Sequence, residues 1–198
     1  MIKKILLGLA GIMLLVGNLS AQDFHTEYNA GMKKYKAKDY AGARINFTSA
    51  LKSEATAYQK SHAQFCIGLC FYFEGNYPAA KLECAKVLAM TDADPYYKSS
   101  AQLRIGDCFC CERNYPAARA EYAKVLDIKN AHPHHKSSAQ LRIGNCFYYE
   151  KNYPAARAEY AKVLDMKDAN PHHKSSAQLR IAYCYREQGK EAKPSKNI

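Results

Sequence analysis

The residues with the most chemistry in this chain are Cys66, Cys70, Cys84, Cys108, Cys110, Cys111, Cys146 and Cys184, with His132, His134, His135, His172 and His173. Cys and His are the usual ligands of zinc, and cysteines of an exported chain can also close as disulfides. The spacing argues against a metal. No C-x₂-C pair occurs, and Pro95-Tyr96-Tyr97-Lys98 occupies the place of Pro133-His134-His135-Lys136, with tyrosine where a repeated site would need histidine. The His134 and His135 rings are expected to pack over a turn. No nucleophile elbow, phosphate loop or metalloprotease helix is present, so the chain does not read as an enzyme, and no cofactor is implied.

These side chains sit in a repeat. Ser99 to Lys136, thirty-eight residues, recurs at once as Ser137 to Lys174 with seven substitutions. A looser copy runs from Ser61 to Lys98, half a copy follows from Ser175, and a degenerate one lies upstream. There Gly31, Tyr40, Ala43, Phe47, Ala50 and Leu51 stand 37 residues before Gly68, Tyr77, Ala80, Cys84, Val87 and Leu88. A fixed period of this length marks a stacked array. Within one unit, Ser99 to Arg113 reads as a helix burying Ala101, Ile105, Cys108 and Phe109. Asn114-Tyr115-Pro116 breaks it and opens a second helix with the stripe Ala118, Tyr122, Val125, Leu126. Asp127 to Lys136 reads as the turn into the next unit, and Ser99-Ser100 as helix-start residues. Nothing alternates with period two, so no strands are expected.

The repeat decides most of the cysteines. Cys70, Cys108, Cys146 and Cys184 hold one equivalent slot, on helices that pack about 8–10 Å apart, whereas a disulfide needs Cα atoms within about 7 Å. They are expected to be small core residues that never bridge one another, with Cys84 also in the core. Cys66, Cys110 and Cys111 fall on the other side of the helix, where a bridge stays open.

At these residues the chain resembles the tetratricopeptide repeat (TPR) family. Ile105-Gly106, Phe109, Tyr115, Ala118, Tyr122 and Val125-Leu126 follow its pattern, as do Ile143-Gly144, Phe147, Tyr153, Ala156, Tyr160 and Val163-Leu164. The family's early Trp is Gln102 and Gln140 here, and its Gly before the inter-helix Tyr is Arg113 and Lys151. The unit exceeds the usual length of about 34 residues. Such longer repeats are similar to those of bacterial cell-envelope proteins such as the Tol-Pal-associated cell-division coordinator. The resemblance implies an all-α, right-handed superhelical solenoid of antiparallel helix pairs, with a concave groove that binds a peptide or partner protein.

Carried onto this sequence, the groove positions are Phe65, Leu69, Tyr72 and Phe73 in the second repeat. They are Leu103, Arg104 and Asp107 in the third, beside Cys110 and Cys111. The fourth supplies Leu141, Arg142, Asn145, Tyr148 and Tyr149, and the last helix Arg180 and Tyr183. The expectation is an aromatic floor beside a ladder of Arg104, Arg142 and Arg180, suited to a ligand with acidic and apolar residues.

The ends differ from the array. Residues 1–21 carry Lys3 and Lys4 before an apolar run from Ile5 to Gly17, which suits a signal peptide and is short for a membrane span, with an uncleaved anchor as the rival. Residues 22–190 form the array, four helix pairs closed by a polar capping helix from about Ser175 to Gln188, and residues 191–198 read as a polar tail. Removing Lys3 and Lys4 takes the net charge from +11 to +9. Export and the lack of a recognition motif argue against nucleic acid. Acidic peptides, anionic lipid headgroups at a peripheral membrane contact, and cell-wall polymer fit the charge, as does a merely solvated basic surface. The leading expectation is therefore a non-catalytic interaction scaffold of the bacterial periplasm. The alternatives are a structural self-assembly module and a Cys/His metal or redox protein. Partner and oligomeric state are not written in the sequence.

Overall fold

The computed structural model describes residues 21–191, so the expected signal segment, but for its last residue, and nearly all of the tail lie outside it. Within the described residues there are nine α-helices and no strand. They are α1 (Ala21–Lys36), α2 (Tyr40–Lys52), α3 (Ala57–Phe73), α4 (Tyr77–Ala89), α5 (Pro95–Cys111), α6 (Tyr115–Asp127), α7 (Pro133–Tyr149), α8 (Tyr153–Asp165) and α9 (Pro171–Glu191). The fold is the expected all-α solenoid of helix pairs.

Local chemistry sets each boundary. Asn76, Asn114 and Asn152 cap the second helices, each side chain accepting at 3.2 Å from the amide three residues on, with Pro in the first turn. Asp94, His132 and Asn170 stand before α5, α7 and α9 and accept from the amide two residues on. The first helices therefore begin at Pro95, Pro133 and Pro171. This corrects the expected turn: His134, His135 and Lys136 lie in the first turn of α7, and Ser99-Ser100 lie in the second turn of α5, buried. The last helix likewise starts at Pro171, not near Ser175.

Each helix packs on its chain neighbours, and the first helices α3, α5, α7 and α9 also touch one another in series. The second helices make no comparable contact with each other. Helices that touch lie on the inside of a curve and helices that splay lie outside it, so the first helices line the inner face. Gly106 and Gly144 make the pairing close. A Cβ at either would fall on the ring of Tyr122 or Tyr160, which fill the slot from α6 and α8. Ala118, Tyr122, Val125, Ala139 and Cys146 form one continuous cluster across the third and fourth repeats.

One clasp recurs at every seam. Lys81 of α4 lies over the Phe109 ring at 4.1 Å and pairs with Glu112 at 2.7 Å. Arg44 repeats it on Phe71 and Glu74, Arg119 on Phe147 and Glu150, and Arg157 on Tyr185 and Gln188. A cation held against a ring and an acid at once is worth more than either exposed contact alone.

Candidate functional site

The first helices are buried on more than one side, and that changes the expected groove. Leu103 and Asp107 are covered, at 7% and 6% exposure, and do not face it. The Asp107 carboxylate accepts from the Tyr122 hydroxyl at 2.8 Å and from Arg142, while Arg104 pairs with its other oxygen at 3.1 Å. Arg104 also lies over the Tyr72 ring at 4.3 Å. Burial works against the charge on Arg142, but the carboxylate more than offsets it and its pKa is raised. Two members of the expected arginine ladder thus grip the protein's own acid. A buried carboxylate between two guanidiniums is satisfied internally. In the fourth repeat Asn145 takes the Asp107 place and accepts from Tyr160 at 2.9 Å, and Arg180 lies beside that tyrosine.

The other expected groove residues divide by exposure. Phe65 packs on Tyr97, and Leu141 and Tyr148 pack on the cluster around Tyr160. Leu69 and Tyr72 are half-buried. Phe73 and Tyr149 are each 51% exposed, and Tyr183 is 37% exposed. Phe73 stacks on Tyr40 with ring centroids 5.9 Å apart, and Tyr149 packs on Tyr115 at 5.8 Å. Aromatic rings therefore stand at the C-terminal ends of α3 and α7. Between them α5 carries Cys110 and Cys111 instead of rings, and a cleft of about 250 Å³ opens there, lined by both cysteines, Arg113, Tyr115 and Tyr149.

The cysteines of the equivalent slot behave as expected. Cys70, Cys84, Cys108, Cys146 and Cys184 are fully buried and every described cysteine is free. Burial pushes the thiols of Cys70, Cys84 and Cys108 up to about 12, where they are poor nucleophiles. Cys66, expected on the far side, is in fact core, beside Tyr28.

The histidines form a second surprise. His135 is buried, not laid over a turn: its Nδ1 lies 2.6 Å from Ser99 Oγ. His173 repeats this on Ser137 at 2.8 Å. The Ser99 hydroxyl also reaches the Pro95 carbonyl at 2.7 Å. Each pair ties one repeat to the next. Among the described residues no three His, Cys, Asp or Glu side chains converge as a metal site, and no helix is long and apolar enough to cross a membrane.

Residues 138–166 match the tetratricopeptide repeat family profile. The crystal structure of the apo form of RapI superposes with a TM-score of 0.69 at 15% identity, over 84% of this chain and 64% of that one. This chain thus spans less than two thirds of RapI's length. The crystal structure of MamA protein superposes with a TM-score of 0.55 at 13% identity, over 89% of this chain and 98% of that one. The fold is that of a TPR solenoid. No curated protein matches the chain in sequence.

Sequence reasoning missed a polar ladder inside the helix pairs. Gln64 donates to Glu83 at 2.7 Å, and Gln102 and Gln140 repeat this on Glu121 and Glu159. Each of these acids also holds a lysine three residues on. The glutamines fill the place where the family carries Trp. Their recurrence beside a Glu nineteen residues later was the available signal.

Proposed function

We propose that this protein is a non-catalytic scaffold that holds a peptide segment of a partner protein against the inner face of the solenoid. The observation that carries the reading is a pair of half-exposed rings, Tyr149, which lines the Cys110–Cys111 cleft, and Phe73 at the end of α3. Large apolar rings rimmed by polar side chains are the usual anchors of an interface. Arg113 lines the same cleft, and the chain is basic overall at +11. A segment that alternates apolar and acidic residues suits both. The N-terminal sequence supports export, which makes a partner of the bacterial periplasm or cell envelope the natural one. The long repeat also accords with the type found in the Tol-Pal-associated cell-division coordinator.

The test substitutes two rings that are half-exposed and outside the buried clusters. Phe73→Ala with Tyr149→Ala should leave the helical circular dichroism intact. Recovery of the partner captured by wild-type protein from envelope extract should weaken at least about tenfold, or 1.4 kcal/mol. Undiminished capture by the folded double variant would remove the inner face as the site.

A self-assembly reading is favoured by one observation. On α9 Leu179 and Tyr185 are 52% and 63% exposed, and no second helix follows within the described residues. Light scattering over a range of concentrations separates the two, because only self-assembly raises the mass with concentration.

A further inference from the structure

The outer face of the array is not uniform. Between the second helices α2 and α4, with α3 as its floor, runs a groove of about 630 Å³. Its α2 wall extends from Ala41 to Lys52 through Arg44, Ile45, Thr48 and Ser49. That is about 17 Å of helix at a rise of 1.5 Å per residue, and the spacing is that of one helix face. Ile67 and Phe71 of α3 supply an apolar floor beside Leu51, and Glu83 and Lys86 of α4 the facing wall.

Comparison of the copies shows what sets this groove apart. Ile45 is 67% exposed, and Leu82 in the same place on α4 is 62% exposed, whereas α6 and α8 carry Ala120 and Ala158 there. Ser49 stands where the later second helices carry Lys86, Lys124 and Lys162, each tied to a glutamate three residues before it. Asn46 takes the place of that glutamate, and Lys52 stands where they carry Ala89, Asp127 and Asp165. Ile45 and Lys52 are exposed and outside the buried clusters, so the packing of the array does not call for them. The rim is basic. Arg44, Lys52 and Lys86 face Glu83, and even with Glu74, which holds Arg44, the cations outnumber the acids three to two. Glu83 is already engaged by Gln64 and Lys86, each at 2.7 Å.

We propose that this groove docks an amphipathic helix of a partner protein, with its apolar stripe on Ile45, Leu51 and Phe71 and its flanks acidic. A helix laid along α2 meets a face already spaced to receive one. Charge argues against occupants from this chain itself: residues 1–20 carry Lys3 and Lys4 and no acid, and a second copy brings a net +11. A floor between two walls suits a stripe of side chains better than a flat bilayer. The groove lies on the outer face, so it is separate from Phe73 and Tyr149 and stands whether or not a peptide is held inside.

The probe is a display library of helical peptides with leucine at i, i+3, i+4 and i+7 and the flanking positions randomised, selected on the full-length protein. The copies supply substitutions that the fold accepts elsewhere: Ile45→Ala follows Ala120, and Lys52→Asp follows Asp127. Recovered helices should be enriched in Asp and Glu. By fluorescence anisotropy the tightest should bind the double variant at least about tenfold more weakly, with circular dichroism unchanged. Lys52→Asp alone, at an exposed side chain, decides should the pair disturb the fold. Phe73→Ala with Tyr149→Ala should bind the same helix as wild type does, which separates the groove from the inner face. No recovered helix, flanks without acidic enrichment, or binding that the groove variants leave unchanged would each overturn the proposal. So would sedimentation with phosphatidylglycerol vesicles that Ile45→Ala with Lys52→Asp abolishes, since that result assigns the groove to lipid.

Discussion

Lys38, Arg113 and Lys151 hold a backbone shape that the second repeat leaves to glycine. Their φ angles are 62°, 59° and 61°, and Gly75 in the same place has 78°. This left-handed residue ends each first helix and lets the chain turn back, and any side chain there is strained. Lys38→Gly should therefore raise stability by about 0.5–1 kcal/mol, the relief exceeding the added freedom of the unfolded chain. Gly75→Ala should lower it by about 1 kcal/mol. Urea midpoints at unchanged slope measure both. The turn was legible from Asn-Tyr-Pro, and the strain only by comparison, since lysine and arginine carry no sign of a positive φ but Gly75 holds the same place. Asp107 was misread for a related reason: an acid near two arginines looks like part of a binding surface until its neighbours are placed around it.

At the level of helices, pattern reading worked where one face is buried and failed where several are. In α6 the buried residues are Ala118, Tyr122 and Val125, three of the expected stripe of four, with Leu126 half-buried beside them. In α5 ten of seventeen residues are buried, among them Ser99, Ser100, Gln102 and Asp107. A helix enclosed by its own partner, the previous pair and the next first helix has no single apolar stripe to detect. Its polar contacts make it sensitive to acid. Burial lowers the pKa of His62 and His173, and lowers that of His135 to about 4, with His134, His132 and Arg142 adding to the effect. Between about pH 4 and 6.5 the unfolded chain binds protons that the folded one refuses. The stability these rings contribute is present above pH 6.5 and is lost as pH falls towards 4. Thermal midpoints measured across that window should drop with acid, and His135→Tyr, which copies Tyr97 of the previous repeat, should flatten the slope. An equal slope in both proteins would show that the ring is not the titrating group.

Across the molecule, stability is a sum over pairs and seams, since each repeat touches little beyond its neighbours. Deleting residues 99–136 joins Lys98 to Ser137 and rebuilds a first helix of the same pattern. Lys81 then meets Phe147 and Glu150, the counterparts of Phe109 and Glu112. The shortened chain should fold, keep its helix content per residue and melt several degrees lower. Loss of helix on circular dichroism would show that the copies are not interchangeable. The clasp of cation and ring at every seam, closed by an acid at three of the four, has a further consequence for inheritance. A gene that duplicates one unit adds a seam whose parts already fit, without any compensating change elsewhere. Lineages of such a chain can lengthen or shorten their reach in whole steps of one unit, as a ruler is extended by a segment, while selection on each added copy is left free to alter only its inward-facing side chains.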